Sequence, residues 1–210
     1  ILSRLRSAPR EEAPRPAPEP PAPQPELPEM IGRLKKLLEA MRADVRTVTE
    51  AGWVEALVEA LRARDCGSLL YAPETPVGRA VAAAWAAGGE GLPDLVPYAA
   101  PVEELKDRIF TVDAAVTAAE GAVADTGALV LRPSAAEPRL MSLVPPVHVA
   151  VLRADTVHAS LAEAMRAGRW SEEMPTNLVL VSGPSKTADI ELILAFGVHG
   201  PKELIVFIVE

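Results

Sequence analysis

Val181-Ser-Gly-Pro-Ser-Lys-Thr-Ala-Asp-Ile-Glu-Leu-Ile-Leu-Ala-Phe-Gly-Val-His-Gly-Pro-Lys-Glu-Leu-Ile-Val-Phe-Ile-Val-Glu210 closes the chain. Its two apolar ends, 178–182 and 204–209, read as strands. The run 187–196 between them reads as a helix. Strand, tight turn, helix and strand make a βαβ unit, the building block of a parallel sheet. Gly183 and Pro184 supply the first turn. Gly197 stands where a residue just past a helix C-terminus is expected.

Working outward, the same alternation continues. Residues 147–152 read as a strand and 156–167 as a helix. Residues 128–131 form a strand that follows the Asp125-Thr126-Gly127 turn. The small apolar run 114–124 leaves helix and strand open. Residues 75–87 form an Ala-rich helix ended by Gly88-Gly89, and 68–72 form a strand. Helical spacing of apolar residues marks 53–63 and 30–41. Alternating strands and helices predict a three-layer α/β domain. The turn at Asp125–Gly127 suggests a hairpin, so the expected sheet is mixed and mostly parallel.

Residues 1–28 differ in kind. Dense proline from Pro9 to Pro28 removes backbone donors and favours extended polyproline II. They are read as a semi-rigid, proline-rich tether, and 29–210 as one domain. The chain opens at Ile1 rather than Met, which points to a few preceding residues.

Composition narrows the function. Of 210 residues, 49% are hydrophobic and 24% charged, with a net charge of -8. A negative chain without a basic stripe argues against nucleic-acid binding. No apolar run nears the roughly 18 residues that span a bilayer, and no signal-peptide core is seen at the N-terminus. The single cysteine, Cys66, allows neither an internal disulfide nor a four-thiolate zinc or iron–sulfur site. A cytoplasmic protein without a redox cofactor of its own is expected.

Three short motifs mislead. Lys186-Thr187 resembles the end of a P-loop, but Ser185 and Leu180 stand where the fingerprint needs glycine. Gly88–Gly91 follows a helix rather than a strand, so it is a cap and not a dinucleotide loop. Asp125-Thr126-Gly127 matches half of an aspartic protease dyad, but the helices are too many for that fold. The three histidines, His148, His158 and His199, show no metal spacing. His158 reads as a surface residue of a helix, and His148 as a half-buried histidine entering an apolar strand.

The closing stretch carries the chemistry. A small-residue turn between strand and helix aims free N–H groups outward and suits an anion. Ser185 or Thr187 would cap that helix, and Lys186 would add a cation. Asp189 and Glu191 would lie about 160° apart around it and could not share a proton. Asp189 suits the helix start. Glu191, on an apolar helix, needs a partner. Ser185 and His199 would sit at opposite ends, roughly 16 Å apart, and so in separate places.

Ala124-Asp-Thr-Gly127, Arg139 with Ser142-Leu-Val-Pro145 and His148, then Gly183-Pro-Ser-Lys-Thr-Ala-Asp-Ile-Glu191 and Gly197-Val-His-Gly-Pro201 together resemble the lactate utilisation protein C family, the LUD-domain proteins. The resemblance covers about residues 110–210. It implies a fold like that of CoA transferases and ribose-phosphate isomerases. It also implies a place in a cytoplasmic system oxidising L-lactate to pyruvate, beside iron–sulfur protein partners that carry the clusters. The ligand-binding set expected is Asp125, Thr126, Gly127, His148, Gly183, Ser185, Lys186, Thr187, Asp189, His199 and Gly200, around a small anion. A non-redox subunit is the first reading. The second is an independent enzyme on phosphosugar or CoA-thioester substrates, with Glu191 or Asp125 as base or nucleophile. A regulatory module recruited through the proline-rich tail is the third. A homo-oligomer stays open.

Overall fold

Strand β12, Glu203–Val209, is buried on both faces. Leu204, Val206 and Ile208 enter one apolar cluster, and Ile205, Phe207 and Val209 the other. Only a central strand of a covered sheet reads this way. The computed structural model describes residues 25–89, 91–188, 194–197 and 199–210. In it β12 lies between β1 (Asp44–Val48) and β7 (Val147–Arg153). β4 (Ala114–Ala118), β2 (Ser68–Tyr71) and β3 (Asp94–Pro97) complete a six-stranded sheet in the order β1-β12-β7-β4-β2-β3. Every pairing in it is parallel.

Helices α2 (Trp53–Arg62) and α3 (Pro76–Ala86) cover one face through Trp53, Leu57, Leu61 and Val81. Thr75 caps α3 by accepting the Gly78 N–H at 3.0 Å. A Cβ at Gly78 would lie 1.7 Å from the Ala72 carbonyl oxygen, so only glycine lets this helix sit against the end of β2. Past its other end Gly88 takes φ +80, as a helix-ending glycine should.

The opposite face carries α1 (Leu27–Ala40) and a second sheet. Leu34 and Leu38 of α1 are fully buried against Leu152, Val206 and Leu129. Pro28 falls in its first turn, where a missing N–H costs nothing. α1 thus begins within the segment assigned from sequence to residues 1–28. Helices α4 (Val102–Ile109) and α5 (Leu140–Leu143) close the same face over β2 and β4.

The second sheet runs β8-β5-β6-β9, with β5 Gly121–Val123, β6 Ala128–Leu131, β8 Val157–His158 and β9 Val179–Val181. β5 and β6 are antiparallel, joined by the Asp125–Gly127 turn. The parallel strands and the hairpin expected from sequence are therefore both present, in separate sheets. The open run 114–124 resolves into β4 and β5.

Two expected helices differ. The one at 156–167 starts only at Leu161, as α6 (Leu161–Ala167), capped by Ser160. Val157 and His158 before it pair with Ala122 and Val123 in the second sheet, so His158 is a half-buried strand residue. The one at 187–196 is absent from its described parts. Lys186–Ala188 (β10) and Leu194–Phe196 (β11) pair antiparallel instead. A short apolar run rich in branched and aromatic residues has no helix-specific period, and here the strand won.

Candidate functional site

The parallel sheet places His148 and Leu204 side by side, each second in its strand. Near that edge lie the buried polar side chains Thr117, Ser142 and His148. His148 is 1% exposed, and its Nε2 lies 2.9 Å from the Thr117 Oγ1 on neighbouring β4. Burial pushes the imidazole down to about 4, so it is neutral at physiological pH. Thr117 and Ser142 are buried beside it, and the Ser142 hydroxyl donates to the Arg139 carbonyl at 3.0 Å.

Two loops roof this edge. The Ser185 N–H donates to the Pro201 carbonyl at 2.8 Å, and the Gly197 N–H to the Ser185 carbonyl at 2.9 Å. A Cβ on Gly200 would stand 2.9 Å from the Ser185 Cβ. The Lys202 N–H donates to the Pro146 carbonyl at 2.7 Å, tying the second loop to the start of β7. Between loops and sheet lies a cavity of about 270 Å³, lined by Ser142, His148, Gly183, Ser185, His199 and Gly200 among others. Its walls combine hydroxyls, imidazoles and apolar carbon from Leu143, Val181 and Leu204, and no described lining residue is a carboxylate. That chemistry suits a small polar or anionic molecule.

The structure divides the residues expected from sequence. His148, Gly183, Ser185, His199 and Gly200 share this cavity. Ser185 and His199 were expected at opposite ends of a helix. With strands β10 and β11 in its place, the chain doubles back and brings them to one wall. No helix N-terminus faces an anion at Lys186, since Lys186 and Thr187 lie in β10 and outside the cavity lining. Asp125, Thr126 and Gly127 also lie outside that lining. Asp125 pairs with Arg33 of α1 at 3.0 Å, and Gly127, at φ +63, backs onto Leu37. Asp189 and Glu191 fall outside the described residues.

Sequence reading missed Thr117 and Glu137. Thr117 sat in a run whose strand character was open. Glu137 lies in a loop rich in Ala and Pro, with no motif around it. Its Oε1 accepts the Ala118 N–H at 3.0 Å, while Oε2 is buried without a partner. Burial pushes this carboxyl up to about 7, against the pull of the Ala118 N–H.

A second cavity, about 280 Å³, lies on the far side of the second sheet between Glu120, His158 and Trp170. It is the less suited to ligand chemistry, because Glu120 is already engaged by Trp170 Nε1 at 3.3 Å and Arg132 at 3.6 Å. Among the described residues no cluster of His, Cys, Asp or Glu is placed to hold a metal ion. None of their helices is long and apolar enough to cross a membrane.

Fold and site define a three-layer α/β protein with a small polar cavity under the amino ends of its central strands. Residues 31–209 match the LUD domain. The chain belongs to the LUD domain family. An uncharacterized protein of Neisseria meningitidis serogroup B is 35% identical over 181 residues, 84% of this chain and 76% of that one. Lactate utilization protein C of Deinococcus radiodurans is 37% identical over 98 residues, so this match spans only 46% of that protein and 46% of this chain. Lactate utilization protein C 1 of Bacillus mycoides is 26% identical over 188 residues, 87% of this chain and 80% of that one. A crystal structure of a DUF162 family protein from Deinococcus radiodurans shares the fold with a TM-score of 0.66, at 21% identity, over 89% of this chain and 99% of that one.

Proposed function

We propose that this chain serves lactate utilisation by binding a small carboxylate, L-lactate or pyruvate, in the cavity of His148, Ser185 and His199. The observation that carries the reading is chemical: hydroxyls and imidazoles converge there without a described carboxylate. The names of the Deinococcus and Bacillus relatives support the pathway. Ser185 offers a hydroxyl donor to a carboxylate, and such a charge-assisted bond contributes about 1.5–3 kcal/mol before desolvation. Neutral His148 can donate to or accept from a 2-hydroxy or 2-oxo group.

Oxidation of lactate releases two electrons and two protons. One cysteine cannot hold a four-thiolate cluster. In the reading that the family resemblance implies, the electrons pass to iron–sulfur proteins that act beside this chain in the cytoplasm. The chain is then a ligand-binding, non-redox subunit. In the second reading, an independent enzyme on phosphosugars or CoA thioesters, the base or nucleophile is Glu191 or Asp125. Asp125 is paired with Arg33 outside the cavity lining, and Glu191 falls outside the described residues.

Calorimetric titration of the purified chain with L-lactate, pyruvate and inorganic phosphate tests the ligand. Saturable binding of either carboxylate supports the reading. Binding of phosphate alone, or of nothing, removes it. Capture of cluster-bearing proteins on this chain, followed by their visible absorbance, tests the partners.

A further inference from the structure

We propose that Glu137, Thr117 and His148 form a proton relay that opens into the ligand cavity, with Glu137 holding the proton. The proposal rests on the carboxylate-binding reading for its purpose but not for its geometry.

The relay is built from neighbouring strands. His148 of β7 offers Nε2 to the Thr117 hydroxyl of β4 at 2.9 Å. Among the described residues neither side chain makes another hydrogen bond. A hydroxyl has one proton and two lone pairs, so Thr117 has capacity left for a further partner. Glu137 stands beside the same strand, its Oε1 fixed by the Ala118 N–H, its Oε2 buried and unpartnered. Such an atom in a native protein calls for an explanation.

The space that Glu137 shares with Thr117, Ser142 and Arg139 measures about 10 Å³. That is room for about one water molecule with several polar partners. Ser142 lines both this space and the ligand cavity, so the two adjoin. One water in that small space would bridge Oε2 and the Thr117 hydroxyl, both of which border it.

Proton movement along it balances without any other reactant. With Glu137 protonated, its proton passes toward the Thr117 oxygen as the hydroxyl proton passes to His148 Nε2. His148 Nδ1 then releases its own proton to the cavity. The imidazole ends neutral, with its tautomer reversed, and Glu137 ends ionised. Run backward, the same path removes a proton from a bound 2-hydroxy acid. Carboxyl burial holds the acid near neutrality, where such exchange is freest.

The charged neighbours leave this role open. Arg132 and Arg139 flank the small space, but neither forms an ion pair with Glu137 among the described residues. Arg132 instead faces Glu120 at 3.6 Å and the Glu173 carbonyl at 3.5 Å. Neither β4 nor α5 presents a charged side chain to the space, and His148 is the titratable group of β7 beside it.

Nitrogen NMR of the histidine rings in the ligand-free full chain tests the relay, with His148→Gln assigning the signal. The His148 nitrogens should exchange donor and acceptor character between about pH 5 and pH 8 without ring protonation. Glu137→Gln keeps an acceptor for the Ala118 N–H and should abolish that change. Thr117→Val keeps the carboxyl, cuts the path and should abolish it too. A His148 signal indifferent to pH in the unaltered chain overturns the proposal, as does a change that survives in either folded variant. If Glu137→Gln does not fold, Thr117→Val decides alone. No ligand is present, so the outcome is separate from whether lactate binds.

Discussion

The Ser185 backbone N–H donates to the Pro201 carbonyl at 2.8 Å and the Ser185 carbonyl accepts the Gly197 N–H at 2.9 Å, so Ser185 joins the two loops that roof the cavity. Ser185 and His199 therefore line one wall although fourteen positions separate them in sequence. The loops meet at Gly200, where a Cβ would come within 2.9 Å of the Ser185 Cβ. Gly200→Ala should push them apart. Ligand affinity should fall on the order of tenfold, about 1.4 kcal/mol, while the sheet core stays intact. Titration paired with a thermal melt checks this.

Stability against pH should show two opposed slopes. Glu137 keeps its proton in the folded chain to about 7, against an ordinary 4.5. Its contribution is full below 4.5 and is lost as pH rises toward 7. His148 stays neutral in the folded chain down to about 4, against an ordinary 6.5. Its contribution is full above 6.5 and is lost as pH falls toward 4. Each slope spans on the order of 3 kcal/mol, and they nearly cancel between 4.5 and 6.5. Glu137→Gln should leave a curve that rises with pH across that window. His148→Gln should leave one that falls. Denaturant melts at several pH values read the slopes directly.

Gly127 sits at φ +63 with its missing Cβ aimed 2.4 Å from the Leu37 Cβ. Gly127→Ala combines backbone strain with a clash against α1, and should cost about 1–3 kcal/mol. Asp125→Asn loses only an ion pair whose partners are 58% and 49% exposed, and should cost less than about 1 kcal/mol. Melting temperatures of the two variants should separate clearly.

Much of the frame was legible because burial writes itself into apolar patterns. β12 and β7 are continuous apolar runs, and α1 repeats Leu34 and Leu38 at helical spacing. The site was legible only in part. His148, Gly183, Ser185, His199 and Gly200 came from motif strings, but their convergence depended on what lies between 186 and 196. Lys186–Ala188 and Leu194–Phe196 carry residues that fit a strand as well as a helix, and only strand pairing decides. Reading that element as a helix set Ser185 and His199 at opposite ends of it, and placed Lys186 at a helix start rather than in β10. Thr117 and Glu137 carry no local signal at all. They meet through the sheet, by the register that sets Ala115 against His148, and by a loop folding back onto Ala118. Short strands such as β1 and β3 escaped because each has half-exposed positions and few residues.

The central claim is that a small carboxylate binds among His148, Ser185 and His199, and calorimetric titration of L-lactate and pyruvate tests it most directly. His199→Ala and Ser185→Ala should each weaken binding on the order of tenfold, while Lys186→Ala should change it less than about twofold. All three should melt near the temperature of the unaltered chain, because none of these residues is core. Loss of binding in Lys186→Ala, with His199→Ala and Ser185→Ala unaffected, would contradict the account and return the ligand to the Lys186 side of the loop.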